Sequence, residues 1–190
     1  MLERLVRGHD NPLRIGCAKM TPERQTDFYE TEAPQASREL AELRTSRDYV
    51  APFEIVRRRV IDDLFDGKAT IDATLVIRIG TVEETEAASG VGVVHALDVA
   101  LRKALLKYFP FLETVRVIET YTHASGDSTE AEVVSVKKFS DGHHTWTTLA
   151  KSANTVEAGW KSLLDGYEWR IYTENLKLQR MGGNPRLSRR

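Results

Sequence analysis

A single cysteine, Cys17, in 190 residues rules out a disulfide within the chain and any multi-cysteine metal site. Surplus charge is just as scarce. Lys and Arg number 27 against 28 Asp and Glu, so the net charge of -1 lacks the basic excess of a nucleic-acid binder. Long apolar runs are missing too: nothing approaches the roughly 18 residues that a membrane helix needs. The arginine-bearing start around Arg4, Arg7 and Arg14 has no signal-peptide core. These absences predict a cytoplasmic chain with no membrane span, no nucleic-acid partner and no cofactor.

What is present is hydrophobic periodicity, and it is uneven along the chain. Residues 1–35 show no sustained apolar period and read as an arm that is poorly ordered or dependent on a partner. Residues 36–52 read as a linker helix built on Leu40 and Leu43 and stopped by Pro52. From Thr70 to Ile79 the residues Ile71, Ala73, Leu75, Ile77 and Ile79 alternate with polar ones, as a half-buried strand requires. Gly80-Thr81 turns into a second strand through Ala87, and an amphipathic helix follows over Val94 to Phe109, ended by Pro110. The order then repeats. Val115 to Tyr121, Ala131 to Phe139 and His143 to Leu149 read as strands, with Asp141-Gly142 as a hairpin turn and Asn154 as the cap of a helix through Tyr167. Residues 176–190, with Gly182-Gly183, Pro185 and four arginines, read as a basic tail.

With residues 53–61 as the opening strand, the region 53–175 reads as two halves, 53–110 and 111–175, each β-β-β-α. Matching Ala73 to Ala131 and Ala96 to Ala158 gives spacings of 58 and 62, which implies a second hairpin four residues longer than the first. Neither half can hide its own sheet and helix faces. The expected fold class is therefore α+β, with duplicated β-β-β-α units, mostly antiparallel sheets carrying helices on one face, and a homodimer covering what is left.

The stretch from Gly90-Val91-Gly92 through His95-Ala96-Leu97 to Leu105, and the stretch from Asp141-Gly142 through Trp146-Thr147-Thr148 to Asn154 and Trp160, resemble the regulatory domain of the isopropylmalate and citramalate synthase family, citramalate synthase above all. The resemblance covers residues 53–173 and implies an allosteric, dimer-forming domain that binds a branched-chain amino acid, leucine or isoleucine, or a similar small carboxylate. Val93 stands where the family has proline, and Leu149-Ala150-Lys151 replaces a glycine-bearing stretch. The family's catalytic barrel, with its metal-binding Asp and His-x-His pair, is not among these residues, so the resemblance implies the regulatory half only, either as a stand-alone relative with a separate synthase barrel for partner or as a piece of a synthase.

Two readings of the Gly90-Val91-Gly92 turn stay open. It is either a tight strand-to-helix connection or a backbone cradle whose free N–H groups, with Val94 and His95 on the first helical turn, hold a carboxylate. The loop at Gly126 and Asp127, preceded by Tyr121 and His123, is likewise an ordinary turn or, by the resemblance, a place where Asp127 accepts an ammonium group. The alternative to a sensing domain is a small enzyme using His95, His123, Asp127 or His143 for acid–base chemistry. Adjacent His143 and His144 point to opposite faces of a strand, so no metal site is expected.

Overall fold

A computed structural model describes residues 35–65, 67–125 and 132–182. Cys17, Gly126 and Asp127 lie outside those residues. The elements are α1 (Gln35–Arg44), β1 (Glu54–Phe65), β2 (Lys68–Ile79), β3 (Val82–Gly90), α2 (Val93–Leu106), a 3-10 turn (Pro110–Thr114), β4 (Arg116–Ser125), β5 (Glu132–Ser140), β6 (Thr145–Ser152) and α3 (Thr155–Arg180). The strands form two antiparallel three-stranded sheets, β1-β2-β3 and β4-β5-β6. Helix α2 lies on β2 and β3, α3 lies on β5 and β6, and the two helices also pack together. The expected α+β class and the paired β-β-β-α units are present.

Apolar spacing explains the layers. Ala73, Leu75, Ile77 and Ile79 point from β2 onto α2, whose Ala96, Leu97, Ala100, Leu101, Ala104 and Leu105 form one buried stripe. Each fully buried leucine contributes on the order of 2 kcal/mol. In the second half Phe139 stacks on Trp146 with ring centroids 5.5 Å apart, and Tyr167 meets Phe139 edge-on. Along α2 from Val94 to Asp98 and Arg102, the neighbours on α3 advance from Gly159 to Tyr167, so the helices run side by side in the same direction.

The halves correspond residue for residue at a constant spacing. Glu54 pairs with Arg78 and Arg116 pairs with Ser140, giving 116 − 54 = 62 and 140 − 78 = 62. The helix N-caps Gly92 and Asn154 are also 62 apart (154 − 92). Both first hairpins carry a bulge at the same place, Val56 and Ile118 (118 − 56 = 62), and Gly80 and Gly142 (142 − 80 = 62) share positive φ in the second turns. The expected four-residue insertion is therefore absent. Ala73 corresponds to Ser135, not Ala131, because bulges and turn glycines fix register and alanine content does not.

Three boundaries differ from expectation. Strand β1 continues past Ile61 to Phe65 as a projecting hairpin, since Asp62 and Asp63 sit exposed beyond the core. Helix α1 ends at Arg44, followed by turns through Asp48. Helix α3 continues through Leu176 to Arg180, inside the segment expected as a tail, and on the way Tyr172 meets Tyr49 edge-on with ring centroids 6.4 Å apart. Helix α1 is clamped to α3. The Arg44 guanidinium donates to Glu168 at 2.6 and 3.0 Å and to Asp165 at 2.8 Å, the Tyr49 hydroxyl donates to Glu168, and the Trp169 indole donates to Glu39 at 2.6 Å. These acceptors raise the Arg44 pKa although burial acts against them.

Candidate functional site

Strand β3 enters α2 through Gly90, Val91 and Gly92. Gly90 is required by packing: a Cβ there would lie 2.5 Å from the Ala96 backbone nitrogen and 2.8 Å from His95 Nδ1. Gly92 is different, because its backbone is extended (φ -165°) and a Cβ would meet nothing within 4 Å. No side chain caps α2, and its first turn holds no acidic residue. The equivalent helix start in the second half is closed: Asn154 accepts the Glu157 N–H at 3.0 Å, and Glu157 adds a carboxylate to the first turn. His95 is exposed, with its Nδ1 accepting the Val91 N–H at 3.3 Å, which fixes the turn against the helix.

One helical turn further on, Asp98 accepts a hydrogen bond from the Tyr167 hydroxyl at 2.6 Å, and Arg102 donates to the same oxygen at 3.2 Å. Burial pushes the Asp98 carboxyl above the usual range, against the pull of Tyr167 and of the charges on Arg102, His95 and Lys137. Lys137, on the helix-facing side of β5, is 4% exposed. Burial lowers its pKa, opposed by Asp98. The pattern Val133-Val134-Ser135-Val136-Lys137 gave no sign of this, since a lysine in an alternating strand ordinarily points to water.

The structure divides the residues singled out from sequence. Gly90, Gly92, Val94 and His95 share the start of α2, with Val94 packed toward Gly159 of α3. Tyr121 clusters with Val134, Val136 and Leu149, on the face of the second sheet away from α3, and its ring meets that of His123 at a tilt, with centroids 5.2 Å apart. His143 lies in the β5–β6 turn, where its N–H and that of His144 bind Asp141 Oδ1 at 2.9 and 2.7 Å. Three histidines of the acid–base alternative thus sit on three separate surfaces. Arg170 donates to the other Asp141 oxygen at 3.1 Å. Burial would raise the Asp141 pKa, yet these donors hold it at about 2. Among the described residues no group of three His, Cys, Asp or Glu is arranged to hold a metal ion, and no helix is long and apolar enough to cross a membrane. A separate open cleft of about 570 Å³ between α1, β1, β6 and α3 is lined by Phe53, Ile55, Leu164 and Lys161, with Arg44 already committed to Asp165 and Glu168.

The profile of the LeuA allosteric (dimerisation) domain matches residues 37–170, which includes α1 and both β-β-β-α units. The chain belongs to this family. Relatives of this LeuA-type allosteric domain include the (R)-citramalate synthase of Geobacter sulfurreducens, 31% identical over 166 residues that cover 85% of this chain and 31% of the relative. The (R)-citramalate synthase of Aquifex aeolicus is 32% identical over 154 residues, covering 78% of this chain and 29% of the relative. That of Sulfolobus acidocaldarius is 37% identical over 95 residues, covering 49% and 18%. The LeuA-type domain therefore spans about a third or less of the length of these relatives.

Proposed function

We propose that the domain is a non-catalytic sensor that binds a small carboxylate effector, a branched-chain amino acid such as leucine or isoleucine or a near relative, at the start of α2. On this reading it works in the cytoplasm, pairs with a second copy of itself and regulates a synthase barrel of branched-chain amino acid biosynthesis. The observation carrying the reading is the difference between two equivalent helix starts. Asn154 and Glu157 satisfy the start of α3, whereas α2 begins at Gly92 with open space beside it and no capping side chain. Free N–H groups and the positive end of a helix dipole favour a carboxylate there. Family membership supplies the class of role, and the citramalate synthases to which the chain is similar make a small acid or amino acid the natural ligand.

Isothermal calorimetry on the purified chain with leucine, isoleucine and the corresponding 2-oxo and 2-hydroxy acids tests the sensor role. Saturable binding of at least one is expected; a folded protein that takes up none would remove it. Light scattering tests the pairing: two copies per particle are expected, and a monomer across the accessible concentration range would refute it.

A further inference from the structure

The constant spacing of the halves allows the space between edge strand and helix to be compared side by side. In the first half, Arg58 of β1 reaches across to α3, lies 5.8 Å over the Trp160 ring and binds Glu157 at 2.7 Å. Leu75 of β2 forms the buried floor. At the spacing of 62, Arg58 corresponds to Thr120, Leu75 to Lys137, Trp160 to Asp98 and Glu157 to His95 (120 − 58, 137 − 75, 160 − 98, 157 − 95). The second cleft, between β4 and α2, thus has an exposed threonine where the first has an arginine, and carboxylate where the first has indole. Its floor carries an ammonium group.

Lys137 reaches this cleft from a defined direction. Helix α3 covers β5 and β6, and Thr148 beside Lys137 is already bound to the Ser162 carbonyl at 2.6 Å. On the other side Lys137 pairs with Thr120, and Thr122 shares that face, its hydroxyl 3.5 Å from Ser135. Among the described residues the Lys137 ammonium has no hydrogen bond and no ion pair, although the side chain is almost wholly buried and Asp98 acts on it electrostatically. The stem of Lys137 is buried while its Nζ still touches solvent, so the ammonium lies within reach of an anion that enters the cleft.

We propose that the β4–α2 cleft binds a small carboxylate with the Lys137 ammonium as its counter-charge and Thr120 as a flanking donor. This rests on the sensor reading and deepens it: the charge of the effector is met by a side chain from β5 as well as by the start of α2. Asp98, facing Lys137 across the cleft, suits an ammonium group on the same ligand, so an α-amino acid should outbind the 2-oxo acid of the same skeleton.

Calorimetry with isoleucine, leucine and their 2-oxo acids, on the wild type and on Lys137→Met, decides the matter. The substitution keeps the length and burial of the side chain and removes the charge, and circular dichroism with thermal melting verifies folding. A 10- to 100-fold weaker affinity in a folded Lys137→Met protein is expected from loss of one charge-assisted contact. Unchanged affinity in that variant would overturn the role of Lys137 while leaving the sensor intact. No binding by the wild type would overturn both.

Discussion

The two halves share a backbone plan but spend their equivalent positions differently. Where β1 of the first half meets α3 of the second, Arg58, Trp160 and Glu157 interlock over Leu75, and a strand edge is sealed to the neighbouring helix. Where β4 of the second half meets α2 of the first, Thr120, Asp98, His95 and Lys137 stand in those places and leave polar groups facing one another. The helix starts follow the same division: α3, which makes the sealed contact, is capped by Asn154, whereas α2, which makes the polar one, opens at an uncapped glycine. Duplication supplies a stable frame twice, so packing can be relaxed in one copy and kept in the other.

The sharpest way to break this comparison is to exchange floor residues. Leu75→Lys places a charge where no side chain answers it, and should cost about 4 kcal/mol or more in urea unfolding. Lys137→Met should instead raise stability by about 1 kcal/mol without ligand, as replacing buried charge by apolar surface often does. Equal losses from both would mean the floors are alike.

Next in size is Gly166→Ala. Its equivalent in α2 is Ala104 (166 − 104 = 62), which is buried without strain, whereas a methyl at Gly166 would lie 2.1 Å from the Phe139 ring. The usual helix gain of about 1 kcal/mol is outweighed by overpacking, and a net loss of about 2 kcal/mol should appear as a lower melting temperature.

Acid unfolding separates the second turns. Asp141 corresponds to Ile79 (141 − 79 = 62), and its pKa near 2 lies below the ordinary 3.8. With a side chain only 5% exposed, its stabilisation is at most about 2 kcal/mol. That contribution is fully present above pH 3.8 and is lost as pH falls through 2, so Asp141→Asn should flatten this limb of the stability profile. The smallest effects belong to the caps: Asn154→Ala should cost about 1 kcal/mol, while Gly92→Asn should gain a few tenths and weaken effector binding.

Much of this frame was legible in the sequence, because period-2 strands and period-3.6 helices write burial directly into residue order. The Thr70 to Ile79 alternation and the stripe from Ala96 to Leu105 are such cases. Register between the halves was not, since alanines recur too often to align strands; the bulges at Val56 and Ile118 carry that information and have no residue signature. The Ile118 bulge also shifts the parity of β4, and Tyr121 lies on the face away from the helices. The start of α2 was visible through its glycines. Lys137 was not, because its burial depends on α3 closing over β5 from more than twenty residues downstream in the chain.

The clamp at Arg44 has a mechanical consequence. Any pull on the chain ahead of α1 is delivered to Asp165 and Glu168 on α3, and Tyr167 between them holds Asp98 from the opposite side of the same helix. Residues 165 to 168 of α3 thus join the α1 clamp to the Asp98 contact within a single helical turn.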